Sequence, residues 1–233
     1  MALAFVTGGS RGLGFETAKA LKAAGNQVVL FARNTGKLHQ AGQELNSTIE
    51  YVELSDIAAT REVFKAAVEK YGVPDILMLA HGVMSDRLAK TLKTNDEEWR
   101  RVMTINLDSV FTIVNEVGAK MAEARKGRVI VYSACLGRMS GPGNAGGLAP
   151  YRISKAGVNA LVRNLAHETG HGSRGFWIDA ICPNHSRTDM GGESAPRSAA
   201  EGAATAVWLA TRELVPGATQ TGLLWEDNEV IPW

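Results

Sequence analysis

Tyr151 and Lys155 stand four residues apart in Tyr151-Arg152-Ile153-Ser154-Lys155, directly after Pro150. On a helix that spacing puts a phenol and an ammonium group on one face, and proline is common in a first helical turn. A phenol with a pKa near ~10 is a weak acid–base catalyst at neutral pH. A cation held beside it stabilises the phenolate and brings that value toward the working range. The pair could therefore move a proton to or from an oxygen atom. Y-x-x-x-K alone describes many ordinary helix surfaces, so its weight comes from its companions.

The first companion is Thr7-Gly8-Gly9-Ser10-Arg11-Gly12-Leu13-Gly14. Gly8, Gly12 and Gly14 are placed where a backbone approaching phosphate oxygens has no room for a Cβ. A helix beginning near residue 12 would aim its free N–H groups at the anion. The spacing is G-x-x-x-G-x-G rather than the G-x-G-x-x-G of the better-known dinucleotide turn. The second strand then ends Phe31-Ala32-Arg33-Asn34, with no carboxylate to bind ribose hydroxyls. Arg33 and Arg11 suit a 2′-phosphate instead, because a guanidinium fork matches phosphate geometry. The cofactor these residues imply is NADP(H).

Such residues must be positioned by a scaffold, and the hydropathy pattern supplies one. Short apolar runs at 3–7, 27–32, 49–54, 75–80, 128–133, 176–182 and 222–225 read as strands covered on both faces. Helical patterns fall at 12–24, 35–46, 57–71, 96–124, 150–170 and 198–212. Parallel neighbours need crossover helices, so this alternation implies an α/β fold, a Rossmann-like doubly wound parallel sheet of about seven strands with helices on both faces. No linker or repeat interrupts it, which points to one domain spanning 1–233. Gly137 to Gly147 holds five glycines and Pro142, and reads as a mobile loop beside the site.

Taken together, the turn and the Tyr151/Lys155 pair resemble the short-chain dehydrogenases/reductases, in order and in separation, over essentially the whole chain. The resemblance extends to Asn106 in Thr104-Ile105-Asn106-Leu107, to Pro183–Thr188 after the sixth strand, and to Gly222–Trp233, which is similar to the small NADPH-dependent carbonyl reductases. It implies that Tyr151 is the proton donor to a carbonyl, that Lys155 binds the nicotinamide ribose, and that Asn106 holds a water linking Lys155 to solvent. It places Thr188 against the carboxamide or a phosphate. Gly8, Ser10, Arg11, Gly12, Leu13, Gly14, Arg33, Glu53, Leu54, Ala80, Gly82 and Pro183 complete the expected cofactor contacts.

The chain also departs from that family. The usual Asn-Asn-Ala-Gly is Leu79-Ala80-His81-Gly82, the acidic residue near adenine is Glu53, and Pro183 is followed by Asn184 and His185. An ungapped alignment puts Ala134 where the catalytic serine belongs, one residue after Ser133. Neighbours on a strand face opposite sides, so Ser133 substitutes only if the strand has broken by that point. Losing one preorganised oxyanion donor costs about 2.7–4 kcal/mol. Retained cofactor binding with altered substrate chemistry follows: hydride transfer to or from a small or medium carbonyl or imine. The alternatives are a cofactor-bound cyclase or isomerase without net redox, or a non-enzymatic NADP(H) sensor.

Other signals are weaker. His167-Glu168-Thr169-Gly170-His171 spells a zinc-protease pattern, but at a fraying helix end, so no metal is expected. His81 reads as a core histidine, and His185 as a cofactor or substrate contact. With 25 basic and 24 acidic residues, a net charge of +1, there is no field to draw nucleic acid or an anionic membrane. Two cysteines, no basic leader and no apolar span place the chain in the cytoplasm. The expected partners are a small-molecule substrate and, as in many relatives, further copies of the chain as a dimer or tetramer.

Overall fold

Residues 1–86, 90–141 and 146–233 are described by the structure, a computed structural model. Positions 142–145 of the glycine-rich loop lie outside the described residues. Strands β1 (Leu3–Thr7), β2 (Gln27–Ala32), β3 (Thr48–Tyr51), β4 (Ile76–Leu79), β5 (Arg128–Tyr132), β6 (Trp177–Ile181), β7 (Leu224–Glu226) and β8 (Glu229–Ile231) form one sheet. Its order is β3-β2-β1-β4-β5-β6-β7-β8, parallel except for the last pair. The eighth strand exceeds the sequence expectation. Asp227 and Asn228 both take positive φ, the two-residue hairpin geometry these side chains favour, and return the chain antiparallel to β7.

Alternate side chains along the strands enter two cores, one on each face. Phe5, Phe31, Leu77, Val129 and Ile178 face one layer of helices; Val6, Leu30, Met78, Ile130 and Ile181 face the other. The first layer is α3 (Ile57–Tyr71), α4 (Asp96–Met103), α5 (Ser109–Ile113), α6 (Ala119–Glu123) and α7 (Ala149–Glu168). The second is α1 (Gly12–Ala23), α2 (Thr35–Glu44) and α8 (Ala199–Thr211). The stretch read as one helix over 96–124 is broken by π-helical turns at Thr104–Asp108 and Val114–Gly118.

Sheet order reverses between β1 and β4, so the loops leaving those strands diverge and open a crevice at the strands' carboxyl ends. Among the described residues no helix is long and apolar enough to cross a membrane.

Candidate active site

The crevice is a cavity of about 890 Å³. Every residue expected from sequence to bind cofactor lines it: Gly8, Ser10, Arg11, Gly12, Leu13 and Gly14 from the β1–α1 turn, Arg33, Glu53, Leu54, Ala80, Gly82, Tyr151, Lys155, Pro183 and Thr188. Ser133 lines it as well, whereas Asn106 stands behind the wall.

At the phosphate end, Gly8 and Gly12 have φ of +65° and +56°, a region L side chains rarely occupy. Gly14 lets α1 close onto the turn, since a Cβ there would run into the Gly8 carbonyl oxygen. A Cβ on Gly12 would sit 3.2 Å from Thr188 Cγ2, so Thr188 packs across the turn. These positions are a cradle that side chains would fill, which fits a bound pyrophosphate. Arg33 is exposed at the end of β2. Arg11 is ion-paired with Asp189, and Lys37 Nζ lies 3.8 Å from the same carboxylate. Lys37 was not anticipated, although its place in the first turn of α2, next to Arg33, signals a third cation at this corner. Glu53 is turned inward on its own loop, accepting from the Ser55 amide and hydroxyl at 3.2 and 2.8 Å.

At the other end, α7 starts after Leu148, whose φ is +53°, with Pro150 in its first turn. Its buried stripe of Tyr151, Ser154, Lys155, Val158, Asn159 and Val162 faces the sheet. Lys155 is 4% exposed; its Nζ donates to the Tyr132 carbonyl at 2.6 Å and lies 5.9 Å from the Tyr151 ring centre. Burial lowers the Lys155 ammonium to about 8. Burial, followed by the nearby Cys182 and Cys135, pushes the Tyr151 phenol above its ordinary value. The sequence led to the opposite expectation, a phenol lowered by its lysine. The cause is desolvation, which disfavours the charged phenolate of a buried tyrosine.

Asn106 sits on the first π turn, buried to 0% exposure. Its Oδ1 accepts from the Val83 amide at 2.8 Å, while its Nδ2 donates to the Val83 carbonyl at 2.9 Å and to Ser154 Oγ at 3.0 Å. It thereby fixes the loop after β4 against α7. A Cβ on Gly82 would lie 3.4 Å from Asn106 Oδ1 and 3.5 Å from Lys155 Nζ, so the loop backbone packs closely on both. His81 is a core residue: Thr7 Oγ1 contacts its Nδ1 at 2.6 Å and Ser109 Oγ its Nε2 at 2.9 Å. Desolvation, then the Lys155 charge, lowers it to about 3.

Ser133, a stand-in for the missing serine only if the strand has broken by that point, is turned toward α7. Its hydroxyl donates to Asn159 Oδ1 at 2.5 Å. Strand β5 ends at Tyr132, yet the Ser133 amide still donates to Ile181 O at 2.8 Å and Ala134 remains extended at φ −161°. Alternation therefore persists past the strand end. Ala134 packs with Tyr151 and Val102. Asn159 was missed, though it continues the helical face of Tyr151 and Lys155 by one turn. Val83, Met84, Leu136, Leu148 and Met190 make the wall of this end apolar. His185 is exposed on the cavity rim, its Nε2 within 2.8 Å of Gly191 O. His167 and His171 meet edge-on, 4.1 Å between ring centres, at the far end of α7.

Comparison with known proteins agrees with this geometry. Residues 2–199 match the family model described as short chain dehydrogenase. The 3-oxoacyl-[acyl-carrier-protein] reductase of Escherichia coli is 33% identical over 190 residues, 81% of this chain and 75% of that protein. The galactitol 2-dehydrogenase (L-tagatose-forming) of Cereibacter sphaeroides is 31% identical over 191 residues, 81% of this chain and 73% of that one. Among solved structures, a blue fluorescent protein from a metagenomic library, in complex with NADPH, superposes with a TM-score of 0.82 at 23% identity, covering 96% of this chain and 94% of that one. With a cradle for a dinucleotide at one end of its cavity and a buried Tyr–Lys pair at the other, the chain belongs to the short-chain dehydrogenase family.

Proposed function

We propose that the protein is an NADP(H)-dependent oxidoreductase acting on a small or medium organic carbonyl or imine, with Tyr151 as its general acid–base. The observation that carries this reading is one cavity joining the glycine cradle and its cations to the Tyr151/Lys155 pair. When bound, the nicotinamide supplies or accepts the hydride.

The chain's own residues would do the rest. Backbone N–H groups of the β1–α1 turn hold the pyrophosphate, and Arg33, Arg11 and Lys37 hold the 2′-phosphate. For that, Arg11 and Lys37 exchange Asp189 for the ligand, a low barrier because the Arg11–Asp189 pair is more than half exposed. Lys155, fixed by the Tyr132 carbonyl, holds the ribose and lends its charge to Tyr151. Asn106 keeps the Val83 loop and Ser154 in register beneath them. A buried phenol that stays protonated at neutral pH is suited to donating a proton to a substrate heteroatom, the reductive direction.

Ala134 supplies no hydrogen bond to a developing oxyanion, and Ser133 is turned away. Cyclic imines, whose nitrogen would take its proton from Tyr151 as hydride arrives at carbon, develop no oxyanion, need no such donor and fit the apolar wall. NADPH consumption against a panel of ketones and cyclic imines tests this, with imines turned over faster. Tyr151→Phe is expected to lower turnover about 10²–10⁴-fold while leaving NADPH binding within a few-fold. Full activity in that variant would refute the assignment.

A further inference from the structure

The chain's two cysteines, 47 positions apart in sequence, meet at the substrate end of the cavity, and both line it. Cys135 opens the 3₁₀ turn Cys135–Gly137 after β5, and Cys182 follows β6, the neighbouring strand. The Cys135 amide donates to the Cys182 sulfur at 3.1 Å. One N–Cα bond further on, the Cys135 Cα is at most about 4.6 Å from that sulfur. The approach suits a disulfide, whose geometry is short-range and specific, and both thiols are free.

Their surroundings differ in a useful way. Cys135 is half-buried and opens to the cavity, whereas Cys182 is 2% exposed. The Cys135 thiol is lowered to about 7, chiefly by its hydrogen bond to Cys182. The Cys182 thiol is pushed up, by its contact with Cys135, by burial and by a hydrogen bond to Glu226. An accessible sulfur inclined to ionise, backed by a protonated one beside a carboxylate, is the arrangement of an attacking and a resolving thiol.

We propose that Cys135 and Cys182 are an oxidation site for hydrogen peroxide, closing to a reversible disulfide beside Tyr151. The Cys135 thiolate attacks one peroxide oxygen, the O–O bond breaks, and the departing hydroxide takes up a proton as water, leaving a sulfenic acid. Cys182 then attacks that sulfur, passing its thiol proton through Glu226 to the departing hydroxide. A second water leaves and the S–S bond remains. Two thiols are oxidised by two electrons in total, and one peroxide is reduced. The bond tethers the 3₁₀ turn, in which Gly137 packs on the Lys155 backbone, to the segment after β6. It therefore reaches the Lys155 backbone.

The full-length protein without added cofactor is treated with hydrogen peroxide, blocked with N-ethylmaleimide in denaturant, and mapped by peptide mass spectrometry. The expected result is a Cys135–Cys182 linked peptide within one chain, reversed by dithiothreitol. Cys182→Ser is expected to stop at a sulfenic acid on residue 135 that dimedone traps. Cys135→Ser is expected to react at least about tenfold more slowly. A sulfinic acid at Cys135 with Cys182 still alkylated, or links only between chains, overturns the proposal. The wild-type map decides even if a variant misfolds. The readout is on sulfur and needs no nicotinamide, so it stands or falls separately from the reductase reading.

Discussion

Ser133 and Ala134 are adjacent and have opposite destinations, and the proposed substrate preference rests on that difference. Ser133 Oγ belongs to Asn159, and the Ala134 methyl belongs to the pocket with Tyr151. Installing the missing hydroxyl with Ala134→Ser is expected to raise turnover of unactivated ketones by about 10²–10³-fold, the usual worth of one oxyanion donor. Cyclic imines should gain little, because their carbon needs no such help. Ser133→Ala should leave kcat/KM within a few-fold. It should still destabilise the fold by about 1–3 kcal/mol, since Asn159 Oδ1 loses its partner in a buried place. Chemical denaturation beside steady-state kinetics separates the two effects. If Ser133→Ala abolishes turnover with the fold intact, Ser133 is the donor after all and Ala134 is a bystander.

At the scale of elements, most of what builds the site was legible in the sequence because the signals are periodic or glycine-borne. Runs rich in Val, Ile and Leu marked the parallel strands, and glycines flanking Arg11 marked the turn before α1. Three things were not legible, each for a physical reason. The π turn that carries Asn106 adds a residue to a helical turn without a breaker in Thr104–Asp108, so periodicity runs through it. The β7–β8 hairpin rests on an Asp-Asn pair that a reading tuned to glycine turns passes over. The ionisation of Tyr151 depends on burial, which spacing along a helix does not report. The end of β2, by contrast, can be tested directly. Arg33→Asp replaces the proposed phosphate ligand by a carboxylate suited to ribose hydroxyls. NADPH affinity is expected to fall by about 10–100-fold, equivalent to roughly 1.4–2.7 kcal/mol, with NADH affinity unchanged or improved. Titration by fluorescence at fixed ionic strength reads this, and an unaltered preference would show that Arg33 leaves the 2′ position alone.

Over the whole molecule, two buried ionisable groups on opposite faces of the sheet oppose one another as pH changes. Asp179 on β6 accepts from Trp225 Nε1 at 3.0 Å and from the Leu223 amide at 3.1 Å, with Arg212 at 3.4 Å, and so pins the C-terminal segment to the sheet. Arg212 lies 4.7 Å from the ring centres of both Trp208 and Trp225. Burial nevertheless raises the Asp179 carboxyl to about 7. Between an unfolded value near ~3.9 and that level the native state binds more protons, so Asp179 makes stability fall as pH rises. His81 is the reverse case. It is lowered to about 3, against about 6.5 unfolded, so the unfolded chain binds the extra proton and stability rises with pH through that window. The lowered carboxyls of Asp75, Glu98 and Asp227 act below about pH 4.5, near their unfolded values. From about pH 5 to 6.5 the wild-type unfolding free energy should therefore be nearly flat. Asp179→Asn keeps an acceptor for Trp225 and removes the carboxyl, which exposes the histidine's contribution. The slope should become positive, approaching about 1.4 kcal/mol per pH unit, while absolute stability at pH 7 shifts with the altered Arg212 contact. Urea titrations at half-unit pH steps measure both curves. If the wild-type curve already rises as steeply as that of Asp179→Asn, the carboxyl titrates as an ordinary acid, and the link between β6 and the C-terminal strands is ionic throughout this range.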